Sequence, residues 1–93
     1  MIRCTVQFFG LPRRVTELRE VEVSLKDGAG LGDLIIALRR QIPALEGSVT
    51  HRGENRLMEH YAFNINGQFY PADREAQLQD GEQIRLLTLA TGG

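Results

Sequence analysis

From Ile2 to Phe9 apolar and polar residues alternate: Ile2, Cys4, Val6 and Phe8 take one side, and Arg3, Thr5 and Gln7 the other. A period of two predicts a half-buried strand. Gly10, Leu11 and Pro12 close it, and Arg13 and Arg14 are placed in the following turn. Glu20 to Leu25 alternates again, with Val21, Val23 and Leu25 inward. The two runs predict an antiparallel hairpin. After the glycine loop at 26–30 the period changes. Leu31, Leu34, Ile35, Leu38 and Ile42 form the stripe of an amphipathic helix. Asp33 in its first turn and Arg39 and Arg40 in its last suit the helix dipole, and Pro43 stops it. Gly30 stands where Ser or Thr caps better, which predicts a small loss of stability.

Residues 43–59 are polar and irregular, the least structured stretch by pattern, with room for a short helical turn or a mobile loop. The run His60 to Tyr70 contains Phe63-Asn64-Ile65, then Asn66-Gly67, then Phe69-Tyr70. Asn-Gly between such runs is a strong hairpin signal, because a type I′ turn needs positive φ at both positions. Pro71 shortens the return strand. Asp80-Gly81 predicts a tight turn, and Ile84 to Leu89 a last strand. The order strand, strand, helix, strand, short strand, strand reads as α+β. It implies a mixed sheet of four to five strands with one main helix packed across one face.

With 93 residues the chain fits one domain, taken as 1–93 with 89–93 as an extended, flexible tail. Eleven Lys and Arg balance twelve Asp and Glu. That near-neutrality argues against nucleic acid or an anionic membrane as partner. No apolar run approaches a membrane span, and the N-terminal stretch does not read as a signal peptide. A lone cysteine makes neither an internal disulfide nor a cysteine zinc site, which favours the cytoplasm.

No catalytic set emerges. His51 and His60 lack Cys, Asp or Glu at ligand spacing and read as ordinary histidines, so no metal is expected. Cys4 faces inward as a small core residue. Arg13-Arg14 and Arg39-Arg40 read as a solvated face or as a docking patch for an acidic partner. The chain end is different. It reads Thr88-Leu89-Ala90-Thr91-Gly92-Gly93 directly after a strand. Ordinary composition would place two glycines last in only about one chain in a hundred, so the pair invites a functional reading beside that of a frayed terminus. From Leu89 onward an extended backbone reaches at most about 17 Å. Thr91, Gly92 and Gly93 lack bulk and suit insertion into a narrow channel, presenting the α-carboxylate of Gly93. If Ile84 and Leu86 face the core, Leu87 and Leu89 face outward. With Phe69 they make a candidate partner-docking patch, or a cover for the open sheet face, or a contact with a second copy.

Taken together, the chain resembles the β-grasp sulfur-carrier family, MoaD/ThiS, relatives of ubiquitin. The resemblance rests on Val6-Gln7-Phe8-Phe9, Glu20-Val21-Glu22-Val23, the Asp33-Leu34-Ile35…Leu38…Pro43 helix, Asn66-Gly67, Asp80-Gly81-Glu82-Gln83-Ile84 and the final Gly92-Gly93. It implies a ubiquitin-like β-grasp fold and a carrier with no catalytic residue and no bound cofactor. A ubiquitin-activating-type enzyme, using ATP and magnesium, would adenylate Gly93. A sulfur donor would convert the adenylate to a thiocarboxylate, for use by a sulfur-accepting synthase or sulfhydrylase. Leu87-Thr88-Leu89-Ala90-Thr91 stands where molybdopterin-synthase small subunits often carry a Pro-Pro pair. That subunit therefore stays an alternative, beside a protein modifier conjugated through Gly93 and a non-covalent interaction module.

Overall fold

The computed structural model describes residues 1–71 and 75–89. Five strands form one sheet: β1 (Ile2–Phe8), β2 (Glu20–Leu25), β3 (Tyr61–Ile65), β4 (Gln68–Pro71) and β5 (Gln83–Thr88). Their order across the sheet is β2-β1-β5-β3-β4. The β1–β5 pair is parallel and the other pairs are antiparallel, so the sheet is mixed. Helix α2 (Leu31–Gln41) buries Leu31, Leu34, Ile35 and Leu38, the stripe that the periodicity marks. Against it lie Cys4, Val6, Phe8, Val23, Phe63, Ile84 and Leu86, all at most 2% exposed. This is the α+β, ubiquitin-like β-grasp arrangement, with one main helix across one face.

The β1–β2 connection is not a simple turn. Leu11–Thr16 forms a six-residue helix, α1, that carries Arg13 and Arg14 on exposed positions. Gly10 enters it at φ +64°, Pro12 sits in its first turn and Glu17 leaves it in the left-handed region at φ +59°. Fewer than two turns cannot display a 3.6-residue period, so the pattern hides this helix. The β3–β4 hairpin follows the expected geometry. Ile65 pairs with Gln68, and Asn66 (φ +54°) and Gly67 (φ +83°) make the two-residue turn.

Residues 43–59 are more ordered than their composition predicts. Pro43–Leu45 is a 3₁₀ turn. The Leu45 carbonyl accepts hydrogen bonds from the backbone N–H groups of Ser48, Val49 and Thr50, and Met58 donates to Val49. Leu45, Val49 and Leu57 are at most 2% exposed and belong to the main core. Arg39 of α2 ties the segment down, donating to the Glu54 carbonyl and pairing with Glu46 at 3.6 Å. The anchors are apolar residues without a period, and such a pattern reads as loop.

Gly30 also has a structural reason to be glycine. Its N–H is bound by Asp33 Oδ2, and the next orphan donor, Leu31 N–H, is bound by Glu75 Oε1 from outside the helix. A Cβ on Gly30 would sit 2.7 Å from that same Oε1 and 3.3 Å from the Ala76 carbonyl. The expected loss from a poor cap is thus offset by a glutamate 44 residues or more away in sequence.

Candidate functional site: the open sheet face and the root of the C-terminal segment

Period two along each strand sends one set of side chains to α2 and the other to the uncovered face of the sheet. The register aligns two rows on that uncovered face. One row runs Glu20, Gln7, Arg85, Asn64, Phe69 across the five strands. The next row, toward the C-terminal end of β5, contains Leu87, Ala62 and Pro71. Phe9 lies one residue past β1 and donates its N–H to the Leu86 carbonyl, which brings it alongside this second row.

Phe69 is 47% exposed and Phe9 44%. Leu87 and Leu89 are half-buried. Ala62, beside Leu87 in the register, is fully buried although it belongs to this face. Phe69 and Leu87 therefore share one surface. Leu89, the last described residue, is fastened by its N–H to the His60 carbonyl at 2.6 Å. His60 itself holds the left-handed region at φ +83°, an uncommon conformation for a side chain of this size. Thr91, Gly92 and Gly93 lie outside the described residues.

Sequence reasoning missed Phe9 and Arg85 on this face. The signal was present. A Phe-Phe pair at the end of a period-two strand must divide between the two faces, and an arginine between inward Ile84 and Leu86 must point outward. The Arg85 guanidinium carbon lies 6.0 Å from the centre of the Phe9 ring, the range of a cation–π contact. Asn64 is 9% exposed and its Oδ1 accepts the Gly67 N–H at 3.2 Å.

The remaining candidate residues stay apart from this face. The Cys4 thiol is 1% exposed, with Sγ 3.6 Å from the Gln79 carbonyl. Burial, and then the nearby Glu82 and Asp80 carboxylates, push its pKa up. A thiol held protonated is a weak nucleophile, which agrees with a core residue. His51 does have acidic neighbours, unlike the expectation from spacing: Glu59 lies 3.6 Å from its Nε2 and Glu54 4.0 Å from its Nδ1. The chain folds back between residues 51 and 59 and brings them together. Among the described residues no group of three or more His, Cys, Asp or Glu is arranged to hold a metal ion. No described helix is long and apolar enough to cross a membrane.

A mixed five-stranded sheet with one main helix across one face is the fold of ubiquitin-like carriers and modifiers. The family model that matches the chain is "ThiS family", over residues 6–93. The chain belongs to the ThiS family. Among solved structures, small archaeal modifier protein 1 of Haloferax volcanii is 25% identical, with a TM-score of 0.79 over 98% of this chain and 99% of the other. Two others share the fold. A putative molybdopterin converting factor subunit 1 from Pyrococcus furiosus is 19% identical, with a TM-score of 0.71 over 97% of this chain and 100% of that one. The BexX/CysO complex of Amycolatopsis orientalis matches at 19% identity and a TM-score of 0.70, covering 97% and 99%. No curated protein matches the sequence.

Proposed function

We propose that this protein is a sulfur carrier whose reactive group is the α-carboxylate of Gly93, and that its folded body is the surface its partners grip. The observation that carries the reading is the ThiS-family match running through Gly92-Gly93, on a fold whose central strand leads to that end. On this reading an adenylating enzyme of the ubiquitin-activating type binds ATP and magnesium. The Gly93 carboxylate oxygen attacks the α-phosphorus and pyrophosphate leaves. A sulfur donor then displaces AMP from the acyl carbon and leaves a thiocarboxylate, whose sulfur is the better nucleophile. A synthase or sulfhydrylase takes that sulfur into its product. Phe69, Leu87 and Leu89 border the docking surface, with Thr91 and Gly92 as the slim lead into the partner's active site. Molybdopterin synthesis is one destination among several, since the Pro-Pro pair is missing before Gly92-Gly93.

The test is intact mass after incubation with the cognate adenylating enzyme, ATP and a sulfur donor. One oxygen of the C-terminus should be exchanged for sulfur. Deleting Gly93 should abolish the exchange and leave the melting temperature unchanged. Failure of the wild-type chain to exchange with its own host's enzyme would reject the reading.

A second reading, conjugation of Gly93 to lysines of other proteins, is favoured by the likeness to the Haloferax modifier. It shares the adenylation step. Pull-down of tagged protein under denaturing conditions separates the two: a ladder of covalent adducts supports conjugation, and a single unmodified band supports the carrier.

A further inference from the structure

We infer that the cleft formed by Asn64, Asn66, Gly67, Gln83 and Arg85 on the open face receives a carboxylate side chain from the protein that docks there. The inference rests on the reading of this face as the docking surface, and it adds which chemical group the partner must present.

The cleft is rich in donors. Asn64 Oδ1 is occupied by the Gly67 N–H, so its free end is the NH₂ group. Arg85 offers only N–H donors. Gln83 and Asn66 add amides at the rim. At about 160 Å³ the cleft is sized for a carboxylate and its stem. The Phe9 ring beside the guanidinium, at 6.0 Å, narrows the directions in which its planar fork can point. A fork of this kind matches a carboxylate in two parallel hydrogen bonds.

The surroundings supply the reason for an acid. Arg85 stands between two exposed rings, Phe9 and Phe69, in the row next to Leu87. A partner that covers those apolar groups also strips water from the guanidinium. A desolvated charge is costly unless it meets an opposite charge in good geometry. Within the chain no such charge is at hand among the described residues. No described carboxylate lies within 4.0 Å of Arg85, and on the same face Glu22 is paired with Arg3 at 3.7 Å. Glu20 is separated from Arg85 by the whole of β1. None of the described residues offers Arg85 that charge, and a carboxylate on the docked partner supplies it. An apolar partner surface without one is penalised, so Arg85 selects among partners as well as adding affinity.

The experiment is calorimetric binding of the full chain to its host's adenylating enzyme without ATP, at two salt concentrations. Pyrophosphate release with ATP is measured separately. Arg85→Ala should weaken binding about tenfold or more and flatten its salt dependence. Arg85→Lys should recover part of the loss, because it restores the charge without the fork. Arg85→Glu should be worst and should be rescued by reversing the facing acidic residue of the enzyme. Arg85 is exposed, and circular dichroism should show all three variants folded. Arg85→Ala binding within about twofold of wild type, with its salt dependence intact, would overturn the inference. If that result came with normal adenylation, the proposed function would stand and the acid pocket alone would fall. Arg85-dependent binding without adenylation would do the reverse. No wild-type binding would reject both.

Discussion

Cys4 illustrates what a single position yields. Its place in the alternation of residues 2–8 puts it inward, and its 1% exposure agrees. The pKa of the folded thiol is raised above the ordinary 9.0, first by burial. The protonated form is thus favoured in the native state. The native chain holds its proton at pH values where the unfolded chain has lost it. Stability from this source is fully present below pH 9 and falls as pH climbs past 9 toward the folded value. Chemical denaturation between pH 7 and 10.5 should show this decline, and Cys4→Val should reduce the slope. At pH 8 the native thiol should also react with alkylating reagents much more slowly than the unfolded one. Inward or outward is the information a period-two pattern carries, so Cys4, Leu87 and Phe69 were legible from sequence. Arg85 was equally placed by parity. Its neighbours Asn64, on β3, and Phe9, just past β1, come from distant parts of the chain, and only the register supplies those.

Secondary-structure elements were legible where they were long enough to repeat. Helix α2 and the strands β1, β2 and β5 each show their period, and Asn66-Gly67 announces the β3–β4 turn through its backbone requirement. α1 was hidden because six residues hold too little of a repeat. The start of α2 falls at Leu31 as the pattern places it, but the contribution of Glu75 to its cap was hidden, since no local motif encodes a distant partner. A direct test follows. Gly30→Ser supplies the residue that local rules prefer, yet its Cβ meets Glu75 Oε1 at 2.7 Å. In the wild type it should destabilise the fold by about 1 kcal/mol through loss of the Glu75 cap. In a Glu75→Ala background the serine hydroxyl can take over the N-terminus, and the same substitution should become neutral or stabilising. Urea denaturation of the four proteins closes the cycle. Additive effects would show that Glu75 is a bystander.

Across the molecule, residues 43–59 are anchored in the core by Leu45, Val49 and Leu57. Their composition reads as loop because their apolar anchors, Leu45, Val49 and Leu57, have no common period. What they share is a destination beneath α2 and the sheet. Leu57→Ala should therefore cost about 2–5 kcal/mol. The transition should stay single, with fluorescence and circular dichroism coincident. A local melting of the segment with an otherwise unchanged transition would contradict this. Of the candidate site, the outward positions Leu87 and Phe69 were legible by parity, and the Gly-Gly pair is a sequence motif that lies outside the described residues. The topology supplies their connection. β5 is not an edge strand. It is laddered to β1 on one side and β3 on the other, and Leu89 adds one more bond to His60. Tension applied beyond Leu89 runs along β5, crosswise to both ladders, so their bonds must shear as a group and cannot peel one by one. If an enzyme drew the chain end into a narrow tunnel, as the proposed function requires, it would pull on a strand seated mid-sheet, and the paired ladders on both sides would resist unravelling.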